Sequence, residues 1–527
     1  MEFSGSDEKK TEILGKILEI RNILTQRLNK PTGNLQVLET LLEMWSSQEV
    51  GNASDEQSIH VPDPIPSTYV KARKKDVNQK IFMCAEDSLK RYKEVVEAHS
   101  NYCKHNLIIE KWTTRGHVIM TRMKCESSHT FLWSSSPYMQ NKEYLVNNRV
   151  QHGLICSGML PSHYIKFVDG AGIGKINKEK RNKFFNSYEN HIQTEYHKST
   201  TTALLEESAS YYDDKFGEID ILTDARHGWR KNAKDASIVA IGEKTHKVLS
   251  CQHVTKADDV VSQRHERIGT DRVYTYLAEK EVAVGVHCHD RNLSINKYIR
   301  EETDAINQND TWHCVKAVKT ALKKVAAGTA KSERKTWSFQ LSDKVEPVST
   351  HIHWAIRNCN NDPEKLKSSI LNVVDHYKNR HLSCDPSSRC KYDKNYEPSR
   401  IVLTDPVAEK LLLGVLLNSN IFKYPQDYVL GKDTFYVESF NNVLNIYQDK
   451  RIAFGDKQYN ARSNLAVCQW NENVDRDFTS ISNPRNPRTP RSVRGKKNYK
   501  QKTFKFRGNI WKTFVNVVYS RKRTRRN

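Results

Sequence analysis

Apolar residues at helical spacing open the chain and give way to a polar stretch. Between residues 13 and 42 they recur every three to four positions, which predicts an amphipathic stripe. Such a stripe serves either self-association or packing against the helix's own domain. Residues 48–66 are polar and contain prolines, as linkers do. We therefore expect residues 1–66 to form N-terminal amphipathic helices and a linker.

Short β-like apolar runs mark residues 80–140, with cysteines and histidines between them. The pairs Cys103-x-His105 and Cys125-x3-His129 offer four ligands of the kind that hold Zn²⁺ in tetrahedral geometry. The first pair is more closely spaced than in common zinc motifs, and buried thiols with ordinary polar histidines are the alternative interpretation. The first interpretation predicts a small module built around a zinc ion.

Residues 141–213 have a helical pattern that is broken at the glycine-rich stretch 170–174. Because these glycines follow no clear strand, we interpret them as a junction between helices rather than as a nucleotide-binding loop. Lys178 and Arg181 follow the junction and are placed to meet DNA phosphates. We expect this region to be helical, similar to a helix–turn–helix, and to bind DNA.

Strand-like and helical patterns alternate between residues 214 and 310. Three short apolar runs precede a helical stretch, and a fourth run leads to Asp290. This order predicts a mixed α/β sheet. Further helices are predicted at residues 310–326, 364–376, 407–417 and 435–446.

Three carboxylates occupy positions that suit metal-dependent chemistry. Asp224 and Asp290 each follow a predicted strand, and Glu438 lies on the last predicted helix. Two neighbouring strand ends and one helix can bring such side chains to one point, where they would hold a pair of Mg²⁺ or Mn²⁺ ions. Aspartates after strands also occur as ordinary caps and turn residues, so the pattern alone leaves both interpretations open.

Asp310 and His313 share one face of a predicted helix, three residues apart. A pair of this kind could relay a proton, because histidine titrates near neutral pH. The pair could instead shape the site and position DNA, or His313 could be an ordinary hydrogen-bonded side chain.

The 147 residues between Asp290 and Glu438 exceed what a compact sheet needs before its final helix. We therefore expect a helical insertion over residues 311–430. Its cysteines and histidines could close a second structural zinc site, with Cys359, one of His376 or His381, Cys384 and Cys390 as ligands. The alternative is an exposed histidine on a helix face beside a short cysteine-bearing loop.

Charge distinguishes the C-terminal region from the rest. The chain has 84 Lys and Arg residues against 62 Asp and Glu residues, a net charge of +22. Residues 484–527 contain sixteen basic and no acidic residues, which is typical of a solvated segment that binds polyanions. Residues 521–526 are a candidate nuclear import signal. We expect a nuclear protein whose residues 476–527 form a basic, largely disordered tail.

Composition argues against a secreted or membrane protein. No stretch approaches the roughly eighteen consecutive apolar residues of a membrane span, and the first ten residues lack the pattern of a signal peptide. The eleven cysteines are odd in number, which favours reduced thiols or metal ligands over a disulfide framework. No membrane partner is expected.

Short motifs, taken in sequence order, resemble those of the Kolobok-type DNA transposases. The matching stretches are Asp224-Ala-Arg226 with Ala233-Lys234, Asp290-Arg291, Asp310-Thr-Trp-His313 with Lys316, Glu438-Ser-Phe-Asn-Asn442, and residues 461–466 and 471–473. Upstream, Cys125-x3-His129 followed by Trp133-Ser-Ser-Ser-Pro137 resembles the zinc-ribbon end that precedes the catalytic domains of this family.

This resemblance implies a cut-and-paste DDE transposase. Such an enzyme binds double-stranded transposon ends, hydrolyses phosphodiesters and joins the 3′-hydroxyls to target DNA. The implied fold is an RNase H-like mixed sheet over residues 214–310 and 431–475, interrupted by the helical insertion and preceded by a zinc-ribbon-like module and the helical DNA-binding region. Family behaviour also implies TTAA targets and assembly as a homodimer or higher oligomer.

The same resemblance implies roles for individual residues. The catalytic Mg²⁺ or Mn²⁺ ions would be held by Asp224, Asp290 and Glu438, with Asp310 and His313 beside them. DNA contacts are expected from Arg226, Arg291, Lys316, Lys178 and Arg181. Ala225 stands where the family has glycine, and an acidic residue expected shortly afterwards is absent. The alternatives are therefore a transposase-derived regulatory DNA-binding protein without catalysis, or a structure-selective nuclease of the same fold.

Overall fold

The computed structural model describes residues 81–211, 217–228, 233–328, 334–482 and 495–520. The predicted amphipathic helices and linker of residues 1–66 lie outside these ranges, as does the candidate import signal at 521–526. None of the helices within the described ranges is long and apolar enough to cross a membrane.

A helix and a three-stranded antiparallel sheet form the first described part of the fold. These elements are α1 (Glu86–Tyr102), β1 (Ile108–Arg115), β2 (Val118–Lys124) and β3 (Thr130–Ser134). Gly116 in the β1–β2 turn has a φ of +63°, which glycine adopts without strain. A Cβ atom on Gly174 would lie 1.9 Å from the Gly116 carbonyl oxygen. The glycine-rich stretch therefore makes a close backbone contact with this turn.

Three helices follow the small sheet. They are α2 (Leu145–Cys156), α3 (Pro161–Gly170) and α4 (Lys178–Ser210). The Asn177 side chain caps α4 by accepting a hydrogen bond from the Lys180 amide at 3.0 Å. Phe184, Tyr188 and Ile192 of α4 are buried in a core that also contains residues of the central sheet. This region is helical, and its longest helix packs against the sheet.

A five-stranded mixed sheet lies at the centre of the fold. Its strands are β4 (Glu218–His227), β5 (Asp235–Gly242), β6 (Val248–Thr255), β7 (Ala283–His289) and β8 (Ile306–Asn309). The order is β6-β5-β4-β7-β8; β5 runs antiparallel to both neighbours, whereas β7 runs parallel to β4 and β8. Helix α5 (His265–Ala278) connects β6 to β7, and α6 (Leu293–Glu302) connects β7 to β8. The mixed α/β class predicted from the sequence is confirmed.

Both faces of this sheet are covered. Every residue of β5 is buried. Val239 and Ile241 join the apolar core that includes α4, whereas Ile238 and Ala240 join the core on the opposite face with Val273 of α5. The sequence does not show the two-residue alternation in the centre of β5, because residues 238–241 are all apolar and pack on both faces of the sheet.

The segment after β8 forms a helical insertion with its own apolar core. Its helices are α7 (Thr311–Ala326), α8 (Val345–Asn358), α9 (Pro363–Tyr377), α10 (Arg389–Tyr392), α11 (Pro406–Leu417) and α12 (Asn420–Lys423). Val318, Ile352, Ile370 and Leu412 are buried together in this core. The apolar spacing that predicted α7, α9 and α11 reflects their packing in this core, whereas α8 was not predicted.

The chain then returns to the sheet. The final elements are α13 (Phe435–Tyr447), α14 (Asp456–Asn471), the antiparallel pair β9 (Phe478–Ser482) and β10 (Lys496–Tyr499), and α15 (Lys505–Ser520). Phe506, Ile510 and Phe514 of α15 are buried in the core that includes α4. The structure thus corrects the expectation of a largely disordered tail over this segment. Three apolar side chains four residues apart form one helical face despite the surrounding positive charge.

Candidate active site and metal centres

The register of three parallel strands places three aspartates side by side. His289 of β7 pairs with Thr223 of β4 on one side and with Asn309 of β8 on the other. The residue that follows each paired position is an aspartate: Asp224, Asp290 and Asp310. Strand β4 continues past its aspartate to His227 because β5 still pairs with it there, so the predicted end of this strand at residue 223 was wrong.

His313 connects these strand ends to the helix that carries Glu438. Glu438 lies in the first turn of α13. Nδ1 of His313 lies 3.4 Å from Oδ1 of Asp290 and 3.2 Å from Oδ1 of Asp310, and Nε2 lies 3.4 Å from Oε1 of Glu438. One imidazole therefore contacts three carboxylates that come from three different elements.

Asp310 is engaged in structural hydrogen bonds. Its side chain is buried and caps α7, with Oδ1 accepting a hydrogen bond from the His313 amide at 2.6 Å. Oδ2 accepts hydrogen bonds from the amide and the hydroxyl of Thr434, at 2.8 and 2.7 Å. Both oxygens are therefore occupied, and the residue positions His313 and the start of α13.

The Asp224 carboxylate is half-buried and held from two sides. Its Oδ1 accepts a hydrogen bond from the Ala225 amide at 2.7 Å, and its Oδ2 accepts one from Nδ2 of Asn441 at 2.9 Å. Burial, and to a smaller extent the charge of Asp290, raises the pKa of Asp224 to about 6. Burial also raises the pKa of Asp290. Ala225 thus supports the site through its backbone amide, which any residue except proline could provide.

The chemistry of this donor set fits a hard divalent cation. Asp224, Asp290 and Glu438 offer carboxylate oxygens, the ligands that Mg²⁺ and Mn²⁺ prefer. The side chains of Asp290 and Glu438 are 42% and 47% exposed, so their oxygens are accessible to an ion that also binds phosphate. Burial is the main cause of the raised pKa of both Asp224 and Asp290, and neighbouring carboxylates add to it: Asp290 and Glu438 at Asp224, and Asp310 at Asp290. A bound cation would offset both effects.

Glu266 is a fifth acidic residue of this site and was not identified from the sequence. It lies in the first turn of α5, and Oε2 accepts a hydrogen bond from Nδ2 of Asn292 at 2.8 Å. Burial, followed by the charges of Asp224 and Asp290, raises the pKa of Glu266 to about 7. Helix α5 connects β6 to β7 and runs antiparallel to β7. Its first turn therefore lies near the sheet edge at which β7 ends. That topology, already implied by the predicted strand order, could have identified this residue.

The predicted DNA contacts fall into two groups. Arg226 is buried and donates hydrogen bonds to Oδ1 of Asn445 at 2.7 Å and to Oε1 of Gln448 at 3.3 Å, which contradicts a role in touching DNA. Arg181 is half-buried and donates to the Ile176 carbonyl at 2.6 Å, within its own domain. The exposed members are Arg291, Lys316 and Lys178.

A first Cys/His cluster joins α1 to the turn between β2 and β3. Ligand atoms of His99, Cys103, Cys125 and His129 all lie within 4.8 Å of one another. The two sulfur atoms are 3.9 Å apart, and Sγ of Cys125 is 3.4 Å from Nδ1 of His129.

His105, the predicted fourth member, lies outside this cluster, with its Nδ1 2.8 Å from Oε2 of Glu126. His99 takes its place because it precedes Cys103 by four residues at the end of α1 and so shares one helical face with it. His99-x3-Cys103 has the same spacing as Cys125-x3-His129, with histidine and cysteine in the reverse order. This spacing in the sequence could have identified His99.

A second cluster lies in the helical insertion. Its members are His376, His381, Cys384 and Cys390, so both candidate histidines take part. The predicted ligand Cys359 is instead buried in the core of the insertion, where its Sγ lies 3.1 Å from the Ile356 carbonyl oxygen. Cys359 directly follows the last residue of α8 and is buried in that core.

Within the part of the chain that the structure describes, a mixed α/β fold is combined with clustered carboxylates and two Cys/His clusters. A family model described as Mutator-like transposase matches residues 258–390, about a quarter of the chain. The match supports a transposase, a class that binds DNA, acts as nuclease and transferase and generally uses divalent metals. It includes Asp290 and His313 but neither Asp224 nor Glu438. No curated protein matches the chain.

Proposed function

We propose that the protein is a cut-and-paste DNA transposase of the DDE type. Asp290 and Glu438 each lie 3.4 Å from one imidazole, and Asp224 is near enough that the charges of both raise its pKa; this arrangement carries the proposal. Three antiparallel strands followed by two parallel ones, in the order β6-β5-β4-β7-β8, support an RNase H-like sheet. The ordered motifs described above support the Kolobok type.

Asp224, Asp290 and Glu438 would hold Mg²⁺ or Mn²⁺. Divalent cations bound there supply a water or 3′-hydroxyl of lowered pKa and neutralise charge on phosphate oxygens. The protein contributes placement: His313 contacts Asp290 and Glu438 at 3.4 Å each and so links the end of β7 to α13. Asp310 holds His313 by capping α7. Preorganised geometry of this kind reduces the entropic part of the barrier.

Cationic and aromatic side chains next to the carboxylates support a DNA path. Arg291 directly follows Asp290 and is exposed. Lys316 is exposed on α7, and its Nζ lies 4.3 Å from the ring centroid of Trp312, which is itself 47% exposed. Lysine and arginine contact phosphates, and an exposed indole can stack on a base. These side chains would position the DNA backbone beside the site.

A structural zinc ion at His99, Cys103, Cys125 and His129 is part of this proposal. Zn–S bonds of about 2.3 Å place two sulfur atoms of a tetrahedral site about 3.8 Å apart. The observed separation of 3.9 Å between Cys103 and Cys125 agrees with that geometry. Such an ion would tie α1 to the small sheet, which supports a zinc-ribbon-like module.

Broader properties follow from the resemblance and from the basic C-terminal segment. Insertion at TTAA targets and assembly as a homodimer or higher oligomer are those of the Kolobok type. The basic residues 521–526 favour nuclear import.

The central experiment measures cleavage of DNA that carries the terminal repeats flanking the coding region, with Mg²⁺ or Mn²⁺. Asp224→Asn, Asp290→Asn and Glu438→Gln should each abolish cleavage while thermal unfolding stays cooperative. Glu279→Gln, an exposed acidic residue at the end of α5, is the matched control and should cleave normally.

Cleavage by all three substituted forms would exclude these carboxylates as the metal ligands. Binding of the correct ends without any cleavage by the unsubstituted protein would favour the regulatory alternative, which Ala225 and the missing acidic residue first suggested. Cleavage without joining of strands would favour a structure-selective nuclease.

A further inference from the structure

Four metal-binding side chains meet at the C-terminal end of α9. His376 lies in the last turn of this helix, and His381, Cys384 and Cys390 lie in the segment that follows. Sγ of Cys384 is 3.6 Å from Nδ1 of His376 and 3.7 Å from Nδ1 of His381, and Sγ of Cys390 is 3.8 Å from Nδ1 of His376. All four ligand atoms lie within 4.8 Å of one another.

These separations match the edges of a tetrahedral zinc site. Zn–S bonds of about 2.3 Å and Zn–N bonds of about 2.0–2.1 Å place sulfur and nitrogen about 3.6 Å apart. Two thiolates and two imidazoles favour Zn²⁺ over the hard cations that carboxylates hold. We propose that His376, His381, Cys384 and Cys390 form a structural zinc site that shapes residues 378–402 into a DNA-contacting loop.

The loop needs such a cross-link because it has almost no apolar core. Cys384 is the only buried residue between Lys378 and Val402. Between Lys378 and Arg400 its backbone hydrogen bonds form only the four-residue helix α10 and local turns, such as the one from the Ser388 amide to the Asp385 carbonyl at 2.9 Å. Ile401, near the end of the loop, is held by the helical insertion: its amide donates to Oδ2 of Asp343 at 2.7 Å and its carbonyl accepts from Nζ of Lys344 at 2.6 Å. A segment this poor in buried apolar surface is typically held by metals or disulfides.

A disulfide between Cys384 and Cys390 is the competing explanation. It would leave His376 and His381 without a reason to converge on the same point. Tyr396 packs edge-on against the His381 ring, with the centroids 5.1 Å apart, and so fixes the histidine beside the sulfurs. The convergence of both imidazoles favours the metal.

The surface of the loop has the character of a nucleic-acid contact. Its exposed basic side chains are Arg380, Arg389, Lys391, Lys394 and Arg400. Arg389 pairs with Asp393 through Nε and Oδ2 at 3.1 Å, which leaves Arg380, Lys391, Lys394 and Arg400 as the candidate phosphate contacts. Tyr392 lies between those lysines and is 67% exposed, as a base-stacking residue would be. DNA as the partner rests on the proposed transposase function, whereas the zinc site does not.

Zinc content of the purified full chain tests the site without any DNA. Elemental mass spectrometry should find two zinc ions per chain, one for each cluster. Cys384→Ser/Cys390→Ser should lose one of them, and Cys103→Ser/Cys125→Ser should lose the other. Cys359→Ser, which changes the buried cysteine outside the cluster, should retain both. Unchanged zinc in the Cys384→Ser/Cys390→Ser protein, or an intact-mass deficit of two hydrogens from a disulfide, would overturn the site.

Hydrogen exchange provides a readout that does not depend on how well the variants fold. Removal of zinc from the unsubstituted protein with a chelator should increase exchange over residues 378–402, while the central strand β5 stays protected. Equal exchange with and without zinc would show that the ion does not shape the loop.

Salt-dependent DNA binding tests the function of the loop. Lys391→Gln/Lys394→Gln should retain both zinc ions and reduce the slope of log K against log salt by about 2, because each lost phosphate contact removes about 0.9. Lys323→Gln/Lys324→Gln, two exposed lysines at the end of α7, should leave the slope unchanged. Equal slopes for both pairs would refute DNA contact by the loop, and normal cleavage alongside would leave the transposase function standing.

Discussion

Thr434 donates two hydrogen bonds to Oδ2 of Asp310, from its amide at 2.8 Å and from its hydroxyl at 2.7 Å. Asp310 follows β8 and caps α7, whereas Thr434 directly precedes α13. The helix that carries Glu438 is thereby fastened to the sheet edge that carries Asp290. The helical insertion begins after Asp310 and ends before Thr434, so these hydrogen bonds link its two ends.

Loss of the Thr434 hydroxyl should weaken this link between α7 and α13. We expect Thr434→Val to lower the free energy of unfolding by about 1–2 kcal/mol, because the buried Asp310 carboxylate loses one donor. Thr434→Ser keeps the donor and loses one buried methyl group, which should cost about 0.8 kcal/mol. Urea unfolding of the three proteins measures the difference, and a loss in Thr434→Val no larger than that in Thr434→Ser would mean that the hydroxyl contributes no more than the methyl group.

Ionisation of Asp224 should make the metal-free protein less stable as the pH rises. Burial and the charge of Asp290 raise its pKa from 3.8 to about 6, so the folded state keeps the proton to a higher pH than the unfolded state. Its contribution therefore falls between about pH 4 and pH 6 and is constant above. Asp224→Asn removes this fall and should become the more stable protein by up to about 3 kcal/mol at pH 7.

Urea unfolding in the presence of a chelator gives the free energy of unfolding of the unsubstituted protein and of Asp224→Asn. These two free energies should diverge as the pH rises through that range. Glu279→Gln should track the unsubstituted protein throughout, since its side chain is exposed. Added Mg²⁺ at pH 7 should stabilise the unsubstituted protein more than Asp224→Asn. Parallel curves with and without the aspartate would mean that its carboxyl titrates normally.

Glu266 should support cation binding at the cost of stability in the metal-free state. Burial and the charges of Asp224 and Asp290 raise its pKa from 4.5 to about 7. At pH 8 we expect Glu266→Gln to stabilise the metal-free protein by about 1–3 kcal/mol. The same change should weaken Mn²⁺ binding about tenfold or more, as lost supporting carboxylates do. Calorimetric titration with Mn²⁺ would test this, and unchanged affinity would place Glu266 outside the metal environment.

Arg226 and Lys316 should respond to substitution in opposite ways. Arg226→Gln breaks buried hydrogen bonds to Asn445 and Gln448 and should cost about 2–4 kcal/mol of stability. Lys316→Gln should leave stability within about 0.5 kcal/mol but reduce the salt slope of DNA binding by about 1. The reverse outcome, with a stable Arg226→Gln protein that binds DNA weakly, would restore the original prediction for this arginine.

The elements that were predicted correctly are those whose apolar spacing is visible within one short segment of the sequence. The helices expected at residues 364–376 and 407–417 occur as Pro363–Tyr377 and Pro406–Leu417, because their apolar faces pack in the insertion. Asp290 was predicted to follow a strand and does. The helical and strand-like runs alone therefore provided the mixed α/β class.

The remaining features depend on contacts between distant segments. Burial of Arg226 follows from α13 packing over β4, a contact across more than 200 residues of sequence. His99 was missed because α1 was not predicted, so its four-residue spacing from Cys103 had no helix to give it meaning. The alignment of Asp310 with the other aspartates requires the strand register, which β8, only four residues long, barely signals.

The C-terminal segment shows how a net charge can conceal an apolar face. Phe514 of α15 is 3% exposed, and its ring centroid lies 5.4 Å from that of Phe184 and 5.2 Å from that of Tyr188. We expect Phe514→Ala to cost about 3–5 kcal/mol, as large-to-small changes in a packed core do. Tyr519→Ala removes a 46% exposed ring from the same helix and should stay within about 0.5 kcal/mol. Denaturant unfolding that found equal, small effects for both would mean that α15 does not stabilise the sheet and that the segment behaves as the basic tail its composition predicts.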